Sequence, residues 1–180
     1  SSSLYNKTCG GIKPESSEDY YSRIIKVLNP GIPCHDRFSM SIEADIPLEL
    51  QSKACIVNLN SSKPVYEGGS WKNGAVHLRT REFGAFAVTV DNKAPEIIPL
   101  SYIKLNEGHK LRFNCEDDLS GLQNYDLYID GEWRLLEYDA KSDLLYHYID
   151  KKYDAGEHEL KLIVIDEKEN KTVFTRTFKT

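Results

Sequence analysis

Apolar residues in this chain recur at every second position, almost never with helical spacing, and turn residues interrupt them at short intervals. Tyr125, Leu127 and Ile129 alternate with more polar neighbours and run directly into Asp130-Gly131. Period two places alternate side chains on one face of an extended chain, and Asp-Gly takes the positive φ values a two-residue hairpin turn needs. Leu160, Leu162 and Val164 repeat the pattern and are expected to form the opposing wall of the same core. Asn73-Gly74, within "KNG" at 72–74, is a second hairpin signal. A fold built on such segments is all-β.

Expected strands in the first half lie at 36–44, 53–59, 64–72, 74–80 and 84–90. The segment 16–28, "SSEDYYSRIIKVL", reads either as a helix capped by Ser17 or as a strand, since its Tyr, Ile and Val content suits both. At 91–95 the polar "DNKAP" ends in a proline that fixes φ and holds Ala94 extended, so a stiff link is expected there. Seven further strands follow, near 97–105, 109–116, 122–130, 132–138, 143–149, 157–166 and 171–179. That spacing is the signature of an antiparallel sandwich of immunoglobulin type. The expected organisation is two consecutive β-sandwich modules, 1–94 and 95–180, with 1–35 irregular or packed against the first.

The chain carries 23 basic and 28 acidic residues, a net charge of −5, which gives no bulk attraction to nucleic acid or an anionic membrane. No apolar run approaches the roughly 20 residues that span a bilayer. The start, "SSSLYNKT", has no export-signal pattern and reads as the interior of a longer protein, so any such signal is expected outside it. Cys9, Cys34, Cys55 and Cys115 show no CxxC spacing, which argues against structural zinc. Cys55 and Cys115 fall in phase with strand apolar residues and read as core thiols. Cys9 and Cys34 lie in loop-like segments and could pair in an oxidising compartment, although spacing alone leaves all three pairings open.

No nucleophile elbow, phosphate loop or HExxH occurs, and the five histidines are scattered singly. No catalytic residue and no resident cofactor is expected. Arg79 and Arg81 share a strand face that reads as solvated. Trp71 and Trp133, with neighbouring tyrosines, are the hint of a ligand surface, because aromatic platforms bind sugars.

The acidic stretch "NCEDDLSG" raises a narrower question. In an immunoglobulin-like module its loop joins strands B and C, and "DEKEN" at 166–170 joins F and G at the same end as "DNKAP". Asp91, Asp117, Asp118 and Asp166 would then supply hard oxygen ligands for calcium. The plainer reading is a structural turn: Asp118 and Ser120 accept backbone N–H bonds, Gly121 takes positive φ, and Asp166 ties the adjacent loop.

"GGSWKNGAVHLRTREFGAFAVTVDNKAPEI" (68–97) resembles a segment of envelope proteins from Bacteroides-type bacteria, with an Arg-x-Phe-Gly-type strand leading into an Asp-x-x-x-Pro link. "EDDLSGLQNYDLYIDGEW" and "AGEHELKLIVIDEKENKT" resemble the immunoglobulin-like module that follows. Together, over 36–180, they resemble the region C-terminal to the catalytic domain in zinc peptidoglycan endopeptidases of the lysostaphin/LytM type. The resemblance implies an envelope location, periplasmic or surface-attached, and a non-catalytic accessory role. It implies as partner an upstream catalytic domain or the cell-wall glycan or peptide, with no nucleic acid, and a monomer is expected. The family's zinc motifs, HxxxD and HxH, have no match here. Glu169 stands where the resembled Asp-x-x-Gly-Asn turn carries glycine, which puts its tight geometry in question.

Overall fold

The computed structural model describes residues 12–15, 18–27, 34–100 and 108–179. It is all-β, and it divides into two compact units, Ser1–Asn92 and Lys93–Thr180.

In the first unit the strands are β1 (Ile12–Glu15), β2 (Ile24–Val27), β3 (Phe38–Glu43), β4 (Ala54–Asn58), β5 (Val65–Gly68), β6 (Ser70–Lys72), β7 (Ala75–Thr80) and β8 (Gly84–Val90). A 3-10 turn, Leu48–Lys53, precedes β4. The strands form a five-stranded sheet ordered β1-β2-β8-β4-β5 and a three-stranded sheet ordered β3-β7-β6. Their facing side chains meet in one core, where Ala54, Ile56, Phe86 and Val88 of the larger sheet lie against Ile42 and Val76 of the smaller. The ambiguous segment 16–28 resolves toward strand: Ile24–Val27 is extended, where β-branched side chains are comfortable, and 18–22 is a series of bends. Ser17, the cap of the helical alternative, lies outside the described residues, as does Cys9, one of the two loop cysteines that could pair. Asn73 and Gly74 adopt φ of 51° and 82°, so the "KNG" turn between β6 and β7 forms as read. Cys55 is fully buried in β4, a strand with no exposed residue.

The second unit contains β9 (Glu96–Pro99), β10 (Lys110–Glu116), β11 (Leu122–Ile129), β12 (Glu132–Arg134), β13 (Glu137–Asp139), β14 (Leu144–Tyr148), β15 (Glu157–Asp166) and β16 (Lys171–Lys179). Its sheets run β13-β14-β10-β9 and β12-β11-β15-β16. Lettered in chain order, that is D-E-B-A facing C′-C-F-G, the strand order of an immunoglobulin-like sandwich.

Two expectations change here. The stretch 132–138 is not one strand: it breaks at Leu135-Leu136, and its halves β12 and β13 join opposite sheets. Among the described residues the unit therefore has eight strands rather than seven. Leu160, Leu162 and Val164 are not the opposing wall either. They pair directly with Ile129, Leu127 and Tyr125 in the same sheet. The wall they face is Leu111, Phe113, Cys115 and Leu145, on β10 and β14. Alternation identifies which face of a strand is buried, but not which strand lies beside it and which across the core.

Candidate functional site

In the acidic loop after β10, Asp117 Oδ2 accepts the backbone N–H groups of Leu119 at 3.1 Å and Gly121 at 2.8 Å. Gly121 takes φ of 80°, as the turn requires. The turn acceptor is thus Asp117, not Asp118. Asp118 instead extends to Lys93, with its Oδ2 2.6 Å from Nζ. Ser120 is buried in that turn.

The neighbouring loop is built the same way. Asp166, fully buried, accepts from Lys168 N at 2.7 Å and Asn170 N at 2.8 Å through Oδ1, and from Asn170 Nδ2 at 2.7 Å through Oδ2. Glu169 adopts φ of 60°, so a non-glycine residue holds the left-handed conformation and the turn stays tight. Glu167 N donates to Gly121 O at 3.1 Å and joins the two loops. The carboxylates of Asp117 and Asp166 thus serve as acceptors for loop N–H donors, which is the structural half of the sequence reading. Asp91 belongs to the first unit, where it is buried and its backbone N–H meets Lys53 O.

The hairpin of β11 and β12 carries a further polar cluster. Asp130 and Gly131 form its turn with φ of 53° and 78°. Asp130 Oδ2 lies 2.7 Å from His158 Nδ1, and its Oδ1 accepts Glu159 N at 2.9 Å. His158 Nε2 lies 2.8 Å from the Asp154 carbonyl, and its ring stacks on Phe178 with Tyr153 at its edge. The hydrogen bond to Asp130, reinforced by the Asp154 carbonyl, holds the imidazole above its ordinary pKa. Burial pushes the Asp130 carboxyl up, but the His158 and Glu159 hydrogen bonds outweigh it and leave the group below its ordinary range. A histidine–aspartate pair has the outline of a catalytic dyad. Here, however, the distal nitrogen faces a carbonyl, so no ring nitrogen is directed at a nucleophile. Sequence reading missed the pair because its members lie 28 positions apart and only the β11–β15 register brings them together.

The aromatic candidates separate. Trp133 on β12 is 54% exposed, with Nε1 donating to Asp126 Oδ1 at 3.0 Å, and it stands opposite Tyr128 in the ladder. Trp71 is different: it packs against the core of the first unit and offers no free platform. Its strand, β6, is an edge of the smaller sheet. On the opposite sheet of the second unit, Lys110 Nζ lies 3.4 Å from the Tyr146 ring centre and 4.7 Å from that of Tyr148. Cys115, the thiol on β10, is pushed up to about 12 by burial. Such a group stays protonated and is a packing element, not a nucleophile.

In the first unit the Arg-Glu-Phe-Gly stretch, 81–84, is organised by Asn60. Its Nδ2 donates to Phe83 O at 2.8 Å, and its Oδ1 accepts Ala85 N at 3.0 Å. Beside it, Glu67 accepts from Asn58 Nδ2 and Thr80 Oγ1, each at 3.3 Å. Burial raises the Glu67 pKa, an effect that these two hydrogen bonds oppose and nearby Glu82 supports. His77 is likewise a framework residue, with Nδ1 2.7 Å from Ser41 Oγ and Nε2 facing the Lys72 carbonyl. Arg79 and Arg81 are both exposed, but β7 ends at Thr80 and Arg81 lies in the bend beyond it, so they do not share a strand face.

This first unit is where a known family matches. A model described as a Zu5-like domain covers residues 1–91, half of the chain. The chain belongs to the Zu5-like domain family. The match ends at Asp91, one residue before the first compact unit ends, so the Zu5-like domain is the β1–β8 sandwich. A search of curated proteins finds none that matches the chain. Within the Zu5-like domain, a polar network links buried Asn58 and Thr80 with half-buried Glu67 and exposed Asn60, and Asn60 donates to Phe83 and accepts from Ala85 around the start of β8.

Proposed function

We propose that this Zu5-like chain is a non-catalytic accessory region of a cell-envelope protein, one that positions or assists a peptidoglycan-hydrolase domain. The carrying observation is how the reactive side chains are used. Both nitrogens of His158 and of His77 face partners in the framework, and Asp117 and Asp166 accept backbone N–H groups of their own loops. The envelope setting and the zinc peptidase partner rest on the resemblance carried by 68–97 and by the loops at 116–121 and 166–170. The test is an assay of the 180-residue chain on purified peptidoglycan, alone and fused behind a zinc endopeptidase domain. No release of muropeptides is expected from the chain alone, with faster or more selective release by the fusion than by the bare enzyme domain. Hydrolysis by the chain alone would overturn the reading.

A second reading, a carbohydrate-binding or adhesion module, is favoured by Trp133. Its indole stands exposed on a sheet surface beside Tyr128, with Nε1 fixed by Asp126, the arrangement of a rigid stacking platform. Titration with soluble peptidoglycan fragments should then quench tryptophan fluorescence in the parent and in Trp71→Phe, but not in Trp133→Phe. Equal responses in both variants would remove this reading.

A further inference from the structure

Trp133 stands at one end of a row that crosses the sheet β12-β11-β15-β16 of the second unit. Tyr128 on β11 lies opposite Trp133 on one side and opposite Lys161 of β15 on the other. Residues opposed across a ladder share one face of the sheet. Their chain neighbours Leu127, Ile129, Leu160 and Leu162 are fully buried, so the row looks away from the core. With strands about 4.8 Å apart, the row runs roughly 10 Å from Trp133 to Lys161. That length takes one sugar ring over the aromatics and leaves a ring substituent at Lys161.

The groups in the row differ in what they leave open. The Trp133 Nε1 donates to Asp126 Oδ1 at 3.0 Å, and Asp126 Oδ2 accepts Asn124 Nδ2 at 3.3 Å. The indole is therefore held in orientation before any ligand arrives, which lowers the ordering cost of stacking on it. Its only N–H is spent, so it offers a π-face and no donor. Lys161 is the reverse. Lys26, Lys93, Lys151 and Lys179 each have a carboxylate within 3.1 Å, whereas exposed Lys161 has none among the described residues. A protein partner is a poorer fit, because the centres of such interfaces are depleted of charge and this face sets Asp126, Glu159 and Lys161 around its aromatics.

We infer that the row binds a pyranose that bears a carboxylate, with the ring stacked on Trp133 and Tyr128 and the carboxylate at the Lys161 ammonium. The inference rests on the second reading above, in which Trp133 is a stacking platform, and adds the charge of the sugar. A sugar ring meets an indole through its C–H face, and an anionic substituent at its rim supplies the partner that Lys161 lacks.

Two matched pairs of sugars serve as probes, each with one acidic member: N-acetylmuramic acid against N-acetylglucosamine, and methyl glucuronide against methyl glucoside. Each is titrated into the ¹⁵N-labelled 180-residue chain at low salt. Saturable shifts are expected at the amides of 128, 133 and 161. The acidic member of at least one pair should bind roughly three- to fivefold more tightly, the size of one exposed ion pair, and high salt should remove the difference. Which pair shows it tells whether a lactyl ether or a uronate presents the carboxylate. Lys161→Gln should lower the acidic sugar to the level of its neutral counterpart, and Trp133→Ala should abolish binding of both. Val173→Ser, on the same face but outside the row, should match the parent. Equal affinities within both pairs, or a preference that survives Lys161→Gln, would overturn the carboxylate assignment and leave the platform reading standing. No saturable binding, or binding retained in Trp133→Ala, would overturn both. A loss in Val173→Ser as large as in Trp133→Ala would assign the face to a protein partner and overturn the proposal as well.

Discussion

Gly84 and Asn60 share one volume: a Cβ added at Gly84 would lie 2.0 Å from Asn60 Oδ1 and 2.2 Å from its Nδ2. Gly84 also has φ of 126°, a region that side chains rarely adopt. Asn60 cannot simply swing away, because its amide holds Phe83 O and Ala85 N. Gly84→Ala should therefore cost roughly 2–4 kcal/mol of the Zu5-like domain's stability. Urea unfolding with an unchanged m-value would register it, and a loss under half a kcal/mol would show that Asn60 relocates freely.

Glu169 offers the opposite sign. It is exposed, holds φ of 60° and occupies a turn that Asp166 pins on either side. A side chain in the left-handed region costs about 1 kcal/mol that glycine avoids. Glu169→Gly should raise stability by roughly that amount, less the added freedom of the unfolded chain. Asp166→Ala should lower it by roughly 3 kcal/mol, because buried N–H donors lose their acceptor. Thermal unfolding of the two variants should bracket the parent.

His158 and Asp130 make stability depend on pH. The imidazole pKa is raised by its bonds to Asp130 and Asp154, so its contribution is complete below the ordinary histidine value of 6.5. It is lost as pH rises through the higher folded value. The Asp130 carboxyl is lowered, so its contribution is present above the ordinary value of 3.8 and lost as pH falls through the folded one. The gap in melting temperature between the parent and His158→Phe, which keeps a ring against Phe178, should be widest between those limits. It should narrow above the folded histidine value. A gap constant from pH 4 to 9 would show that the pair contributes through packing alone.

His147 guards the place where the chain changes sheets. It is 5% exposed, and its Nδ1 donates to Leu135 O at 2.8 Å, next to the break between β12 and β13. His147→Ala removes that bond and opens a cavity, for an expected loss of about 2–4 kcal/mol. His147→Asn, whose amide can reach the same carbonyl, should recover part of it. Equal losses in the two variants would assign the whole effect to packing.

Local chemistry made much of the fold legible. Asn73-Gly74 and Asp130-Gly131 mark turns because few pairs tolerate two successive positive φ values, and both turns form. The buried face of β11 followed from Tyr125, Leu127 and Ile129. The split at Leu135-Leu136 was not legible, because apolar residues continue across it and only the choice between two sheets divides them. The acidic loop was read as a turn but with the wrong aspartate as acceptor, since Asp117 and Asp118 are chemically identical and differ only in which partners they reach, loop N–H groups for one and Lys93 for the other. Trp71 and Trp133 look alike in sequence and separate by what covers them, one packing on a core and the other open to solvent.

Cys115 sits on strand B, where antibody domains place half of the bridge that fastens their two sheets. The second unit contains no other cysteine, and strand F opposes it with Leu162 and Val164. The sandwich closes without that bridge. It can therefore complete its folding with no oxidant and no isomerase, and glutathione or a thiol buffer has no bond in it to cut. A cell could assemble this unit on either side of a membrane and obtain the same object.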